Sequence, residues 1–146
     1  MANIASGIRT LRATFTDIAL SPAYRARAVG FEGTDFINLV ARVQTVMAPL
    51  ELKRYLYEME DRHGRDRRAP KFSSRTLDID ILLYDDLYLI SPELEIPREE
   101  ILTAAYVLRP LADLAPEMLH PVCRKTLAEL WRQFPDRDSG LERIEL

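Results

Sequence analysis

The chain has 146 residues, 47% of them apolar and 29% charged, with a formal net charge of −3. That length suits a single domain over residues 1–146 with a real core, and the acidic balance argues against general nucleic-acid binding. No apolar run could span a bilayer, no secretory leader is expected, and Cys123 alone makes no intrachain disulfide, so the expected location is the cytoplasm.

In chain order, Asn3 is expected to cap a helix running to about Thr16, with Ile4, Ile8, Leu11 and Phe15 spaced for one buried stripe. Asp17 to Arg27 reads as extended, with Pro22 marking an edge or an irregularity. A glycine-punctuated loop, Val29 to Asp35, leads into a second strand, Phe36 to Val46, where Phe36, Asn38, Val40 and Arg42 share a face. Pro49 suits a first helical turn, and Leu52, Leu56 and Met59 carry that helix toward His63-Gly64.

A polar loop then reaches Ser74, and Ser74 to Leu83 reads as a strand because aliphatic and polar residues alternate along it. Asp85-Asp86 looks like the turn of a hairpin whose return arm is Leu87 to Ile90. Helical signals resume between about Glu99 and Leu114, with Pro110 expected to kink or end the helix. Thr126 is placed to cap a last amphipathic helix carrying Leu127, Leu130 and Trp131, and the charged tail after Phe134 reads as loosely held. This order suggests an α+β layer fold, ferredoxin-like with an added hairpin and C-terminal helices if one more strand preceded Asn3.

The chemistry concentrates in the strand at Ser74 to Leu83. Side chains two apart on a strand point the same way, so Asp78 and Asp80 face opposite to Leu77, Ile79 and Ile81. A solvated face is the commoner fate of an Asp-x-Asp pair. Here, however, Arg62, Arg65, Arg67, Arg68, Lys71 and Arg75 precede it. Guanidinium forks grip phosphate oxygens, and hard divalent cations such as Mg²⁺ take one or two carboxylates plus phosphate oxygens. Together they suit a nucleoside triphosphate. Asn38 beside Phe36 could read a flat heterocycle, although a half-exposed polar strand position is the plainer reading. Tyr106 and Trp131 read as core aromatics; His63 and His120 read as a helix-end and a loop residue.

The run Arg75-Thr76-Leu77-Asp78-Ile79-Asp80-Ile81-Leu82 strongly resembles the signature of the 6-hydroxymethyl-7,8-dihydropterin pyrophosphokinases. Val29-Gly30-Phe31 with Asp35-Phe36-Ile37-Asn38 resembles that family's pterin loop and following strand. Glu60, Gly64-Arg65 and Arg67 fall where its second helix meets a basic catalytic loop. Ile96-Pro97-Arg98 and Tyr106 to Leu111 resemble a later segment that closes over both substrates. The similarity covers roughly Asn3 to Leu130.

The resemblance implies transfer of pyrophosphate from ATP, the co-substrate, to the hydroxymethyl group of the dihydropterin, with release of AMP. It implies two Mg²⁺ ions on Asp78 and Asp80, and neutralisation of the transferred group by Arg65, Arg67 and Arg75. Lys71, Arg98 and Ile81 would add ATP contacts. Val29, Phe36, Asn38, Phe72 and Tyr106 would hold the pterin. Neither nucleic acid nor membrane is implied as a partner, and a monomer is expected.

Three departures stand beside it. Family members open with a strand ending in Gly-Ser-Asn, which the expectation here places ahead of Met1; Arg98 and Glu99 stand where relatives often carry His and Tyr; and Ala104 stands where many have Arg. An impaired remnant that binds nucleotide, pterin or a partner without turnover is the alternative reading. A Mg²⁺-dependent nuclease is a third, disfavoured by the acidic charge.

Overall fold

The computed structural model describes residues 2–15, 17–26, 36–62, 77–135 and 140–145. Helix α1, Ala2–Thr14, opens the chain, so Asn3 lies within the first turn rather than capping it. Ile4 and Leu11 lean on a core cluster that includes Phe15 just past the helix end. Gly7 lets α1 lie close to Leu77 of the Asp-x-Asp segment: a Cβ there would meet Leu77 Cδ2 at 3.0 Å.

Strands β1 (Ile18–Leu20), β2 (Ala23–Ala26), β3 (Phe36–Asn38) and β4 (Ala41–Val43) build one interrupted antiparallel ribbon, β1 with β4 and β2 with β3. Ile18 pairs with Val43 and Leu20 with Ala41, whereas Tyr24 pairs with Asn38 and Ala26 with Phe36. Ser21, Pro22 and Ala23 thus oppose only Leu39 and Val40, which is a β-bulge. Pro22 is tolerated there because no ladder bond is asked of it. Ser21 bridges the gap: its N–H donates to the Val40 carbonyl at 2.8 Å, and its Oγ accepts from the Val40 N–H at 2.8 Å. Each long strand of the sequence reading is therefore two short ones.

The tail corrects another expectation. Strand β7 (numbered after β5 and β6 below), Glu142–Ile144, pairs with the free edge of β2, Tyr24 opposite Arg143. Backbone hydrogen bonds hold it whatever its side chains carry, and the exposed Arg25–Glu142 pair at 3.6 Å adds little.

Helix α2, Pro49–Arg62, buries Leu52, Leu56 and Met59 as the spacing predicts, and also Glu60. The Asp-x-Asp segment then departs from expectation. Its burial alternates as a strand's would, with Leu77 and Ile81 buried and Asp78 and Asp80 exposed. Yet among the described residues 77–84 it joins no ladder. Its backbone is held otherwise: the Ile79 N–H donates to Glu60 Oε2 at 2.8 Å, and the Leu82 carbonyl accepts from the Arg98 N–H at 3.0 Å.

Asp85-Asp86 does form a turn, with Asp85 at φ 51° and the Leu87 N–H on the Tyr84 carbonyl at 3.0 Å. The return arm pairs forward instead of backward: β5 (Leu89–Ile90) with β6 (Glu95–Ile96). Beyond it lie α3 (Glu100–Thr103) and α4 (Ala105–Leu114), separated by the extended Ala104. The break thus falls six residues before Pro110, which sits buried inside α4 and leaves the Tyr106 carbonyl without an i+4 donor. Helix α5, Leu127–Arg132, is capped as expected, with Thr126 Oγ1 accepting from the Glu129 N–H at 3.1 Å.

Two apolar cores result. The first gathers Phe15, Leu52, Leu56, Met59, Leu77, Ile81, Leu94 and Ile96; the second gathers Ile101, Leu108, Leu111, Ala112, Ala115 and Leu127. Leu82 and Leu83 pack on the second core and Leu77 and Ile81 in the first, so the Asp-x-Asp segment is rooted in both. Antiparallel sheets with separate helices make this an α+β chain. No described helix is long and apolar enough to cross a membrane.

His120 organises the loop before α5. It is buried, and its Nδ1 accepts from the Val122 and Cys123 N–H groups at 3.2 and 3.1 Å. The neutral ring therefore carries its proton on Nε2, and burial pushes its pKa below the ordinary 6.5. The unfolded chain takes up a proton near that ordinary value while the folded chain resists it, so stability is retained above it and falls as pH drops below it. Urea unfolding followed from about pH 8 to about pH 5 should show this decline, and His120→Gln should flatten it.

Candidate functional site

A cleft of about 280 Å³ opens between α2, the Asp-x-Asp segment and the turn joining β5 to β6. Leu56, Ile81 and Leu94 give it an apolar floor from the first core, while Lys53, Asp80, Glu95 and Arg98 supply its polar walls. The volume lies just below the usual range of ligand-binding clefts. Three residues singled out from sequence (Asp80, Ile81 and Arg98) meet here. Asp78 is exposed on the same segment but does not line the cleft.

The local fold explains the outward carboxylates. Leu77 and Ile81 are anchored in the core, so the alternating positions between them turn to solvent. Between the two aspartates, the Ile79 N–H is tied down by the buried carboxylate of Glu60. Sequence reasoning placed Glu60 only near the family's basic loop and missed this role. The available signal was a charged residue on the apolar stripe of α2, one position after Met59. Lys53 and Glu100 were likewise missed, because surface charges on helices carry no distinguishing pattern.

Arg98 stands beside Asp80, its Nη1 at 4.0 Å from Oδ1, and it is bound to Glu100 through Nε at 2.7 Å from Oε2. Burial acts against the charge of the guanidinium, but Asp80, then Glu100 and Glu95, outweigh it and hold Arg98 more firmly protonated than usual. Among the described residues no three His, Cys, Asp or Glu side chains form a metal cage. The donor set of Asp78 and Asp80 is two hard oxygen groups, open to solvent, which suits Mg²⁺ completed by phosphate oxygens and water.

A second cluster gathers on β3 and α4. Phe36 and Tyr106 meet edge to face, with centroids 5.2 Å apart and planes at 88°. Asn38, two residues from Phe36, has its Nδ2 buried without a hydrogen-bond partner among the described residues. An orphaned buried amide is costly, and it is satisfied when a ligand brings an acceptor. Tyr24, opposite Asn38 on β2, donates its hydroxyl to Asp113 on α4, which ties the helix carrying Tyr106 to this sheet. Burial, then Asp113, raises the Tyr24 pKa, so the hydroxyl remains a donor. Val29, Arg65, Arg67, Lys71, Phe72 and Arg75 lie outside the described residues.

The chain as a whole is similar to known proteins. Residues 1–116 match the family model described as 7,8-dihydro-6-hydroxymethylpterin-pyrophosphokinase (HPPK). A 2-amino-4-hydroxy-6-hydroxymethyldihydropteridine pyrophosphokinase of Pseudomonas aeruginosa is 39% identical over 128 residues, 87% of this chain and 76% of that protein. Proteins of the same name from Synechocystis and Haemophilus influenzae are 33% and 32% identical, covering 90% and 82% of this chain and 71% and 74% of theirs.

Removing the buried acceptor should expose the role of Glu60. Glu60→Leu strands the Ile79 N–H and is expected to cost about 1–3 kcal/mol of stability, whereas Glu60→Gln keeps an oxygen there and retains most of it. Chemical denaturation of both variants checks this, with equal losses speaking against the assignment.

Proposed function

We propose that this chain, which belongs to the 7,8-dihydro-6-hydroxymethylpterin-pyrophosphokinase family, transfers pyrophosphate from ATP to 6-hydroxymethyl-7,8-dihydropterin in folate biosynthesis. The hydroxymethyl oxygen attacks the β-phosphorus of ATP and gives up its proton to solvent, the bond from that phosphorus to the α,β-bridging oxygen breaks, and AMP leaves. The observation that carries the reading is the exposed carboxylate pair on a segment rooted in both cores, with Asp80 and Arg98 walling one cleft.

Asp78 and Asp80 would hold two Mg²⁺ ions, which when bound offset the negative charge of the polyphosphate. Arg98 supplies positive charge beside Asp80, and the apolar floor formed by Ile81 and its neighbours accepts the base. Arg65, Arg67 and Arg75 would neutralise the transferred group in this reading, and Lys71 would add a contact to ATP. Transfer of this kind depends on positioning and charge neutralisation, so no covalent intermediate on the protein is needed.

At the other cluster, the orphaned Nδ2 of Asn38 donates to an acceptor on the pterin edge. Phe36 and Tyr106 flank the ring. Two stacking distances exceed their present 5.2 Å separation, so one ring turns aside as the pterin enters. Val29 and Phe72 would add contacts to the pterin in this reading. The protein acts as a cytoplasmic monomer with the ferredoxin-like arrangement of strands and helices.

Asp78→Ala and Asp80→Ala should each lower AMP release by about a thousandfold or more while the melting temperature holds, since both side chains are exposed. AMP release near the wild-type rate from either variant rules out the metal assignment. Asn38→Ala should weaken pterin binding by about tenfold with ATP affinity unchanged, as read by calorimetry. Arg75→Ala is expected to lower kcat more than it raises the KM for ATP, because its contact strengthens as charge develops.

A further inference from the structure

Resting on that reading, we propose that Glu100 is a positioning residue for ATP: it draws the Arg98 guanidinium away from Asp80 and presents it to the cleft. The backbone of Arg98 is fixed by its N–H on the Leu82 carbonyl at 3.0 Å, two residues past Asp80. Its side chain stands between two carboxylates. Nε reaches Glu100 Oε2 at 2.7 Å and Nη2 pairs with the same oxygen, whereas Nη1 lies 4.0 Å from Asp80 Oδ1.

Distance decides which carboxylate holds the cation. The contact with Glu100 is a charge-assisted hydrogen bond, and that with Asp80 is only at the outer limit of an ion pair. Glu100 begins α3 and is itself anchored, its carbonyl accepting from the Ala104 N–H at 2.9 Å. The tether uses the Nε–Nη2 edge of the guanidinium and leaves Nη1 directed to the side of Asp80 and the cleft.

Two consequences follow for ligand binding. An arginine already held in one rotamer loses little further freedom when a phosphate arrives. Asp80 also stays open to a cation, because its nearest competitor is engaged elsewhere. Without Glu100, Arg98 would close on Asp80, and a Mg²⁺–nucleotide complex would have to break that pair first.

The test is a double-mutant cycle on the full chain, read by calorimetric Kd for a non-hydrolysable ATP analogue with Mg²⁺, Kd for the pterin, and melting temperature. Glu100→Ala should raise the analogue's Kd by about tenfold and leave the pterin Kd and melting temperature unchanged. Glu100→Gln, which keeps an acceptor but no charge, should fall between. In an Arg98→Ala background, adding Glu100→Ala should change nothing more.

The inference is overturned if Glu100→Ala costs the same factor without Arg98, or if pterin binding or melting temperature falls with it. Failure of the wild-type chain to release AMP overturns the pyrophosphokinase reading and this inference together. Normal wild-type turnover with an unchanged analogue Kd in Glu100→Ala overturns this inference alone.

Discussion

Burial of Leu77 and Ile81 on one side of an extended segment is the constraint from which the candidate site descends. Each of these side chains contributes about 1.5–3 kcal/mol by leaving water, and a one-residue slip would exchange them for carboxylates. Asp78 and Asp80 are thus held at the surface by what their neighbours bury. Leu82 and Leu83 extend the same argument into the second core. Any rotation of the segment would strain two packed cores at once, so the carboxylates are positioned by packing on both.

Holding the described part of such a segment without a strand ladder shifts the burden to individual hydrogen bonds. Glu60 serves the Ile79 N–H, and the Leu82 carbonyl is served by Arg98. Both partners come from elements around the cleft, so the backbone of the acidic motif and the walls of the site are mutually dependent. A carboxylate buried on the apolar face of a helix is expensive unless it accepts hydrogen bonds, and here it does. The second cluster shows the opposite economy: Asn38 buries an amide nitrogen with no acceptor among the described residues, and a polar cost of that kind is relieved when a ligand supplies the acceptor.

Legibility from sequence tracked how local the determining physics is. The stripe of α2, the Thr126 cap, the turn at Asp85-Asp86 and the irregularity at Pro22 all follow from neighbours within a few residues, and the structure carries each of them. The break at Ala104 was not legible, because the proline rule pointed to Pro110 and the packing of α4 overrode it. Neither was the attachment of Glu142–Ile144 to β2, since a short charged strand contributes backbone hydrogen bonds that no side-chain pattern announces. For the site, the acidic pair and Asn38 stood out by residue type. Glu60 and Glu100 matter through what they touch, and contacts across the fold are invisible along the chain.

By itself the sequence determined the alternation that puts Asp78 and Asp80 on one side, the helical stripe that buries Leu52, Leu56 and Met59, and the family to which the motif belongs. These depend on periodicity and on runs of residue types, which are properties of the chain alone. Only the tertiary structure decided that the acidic segment hangs from Glu60 instead of a neighbouring strand, that Arg98 leans to Glu100 and not to Asp80, and that Phe36 meets Tyr106. Each of those pairs elements that converge through packing, and its energy depends on distances that no spacing in the sequence encodes.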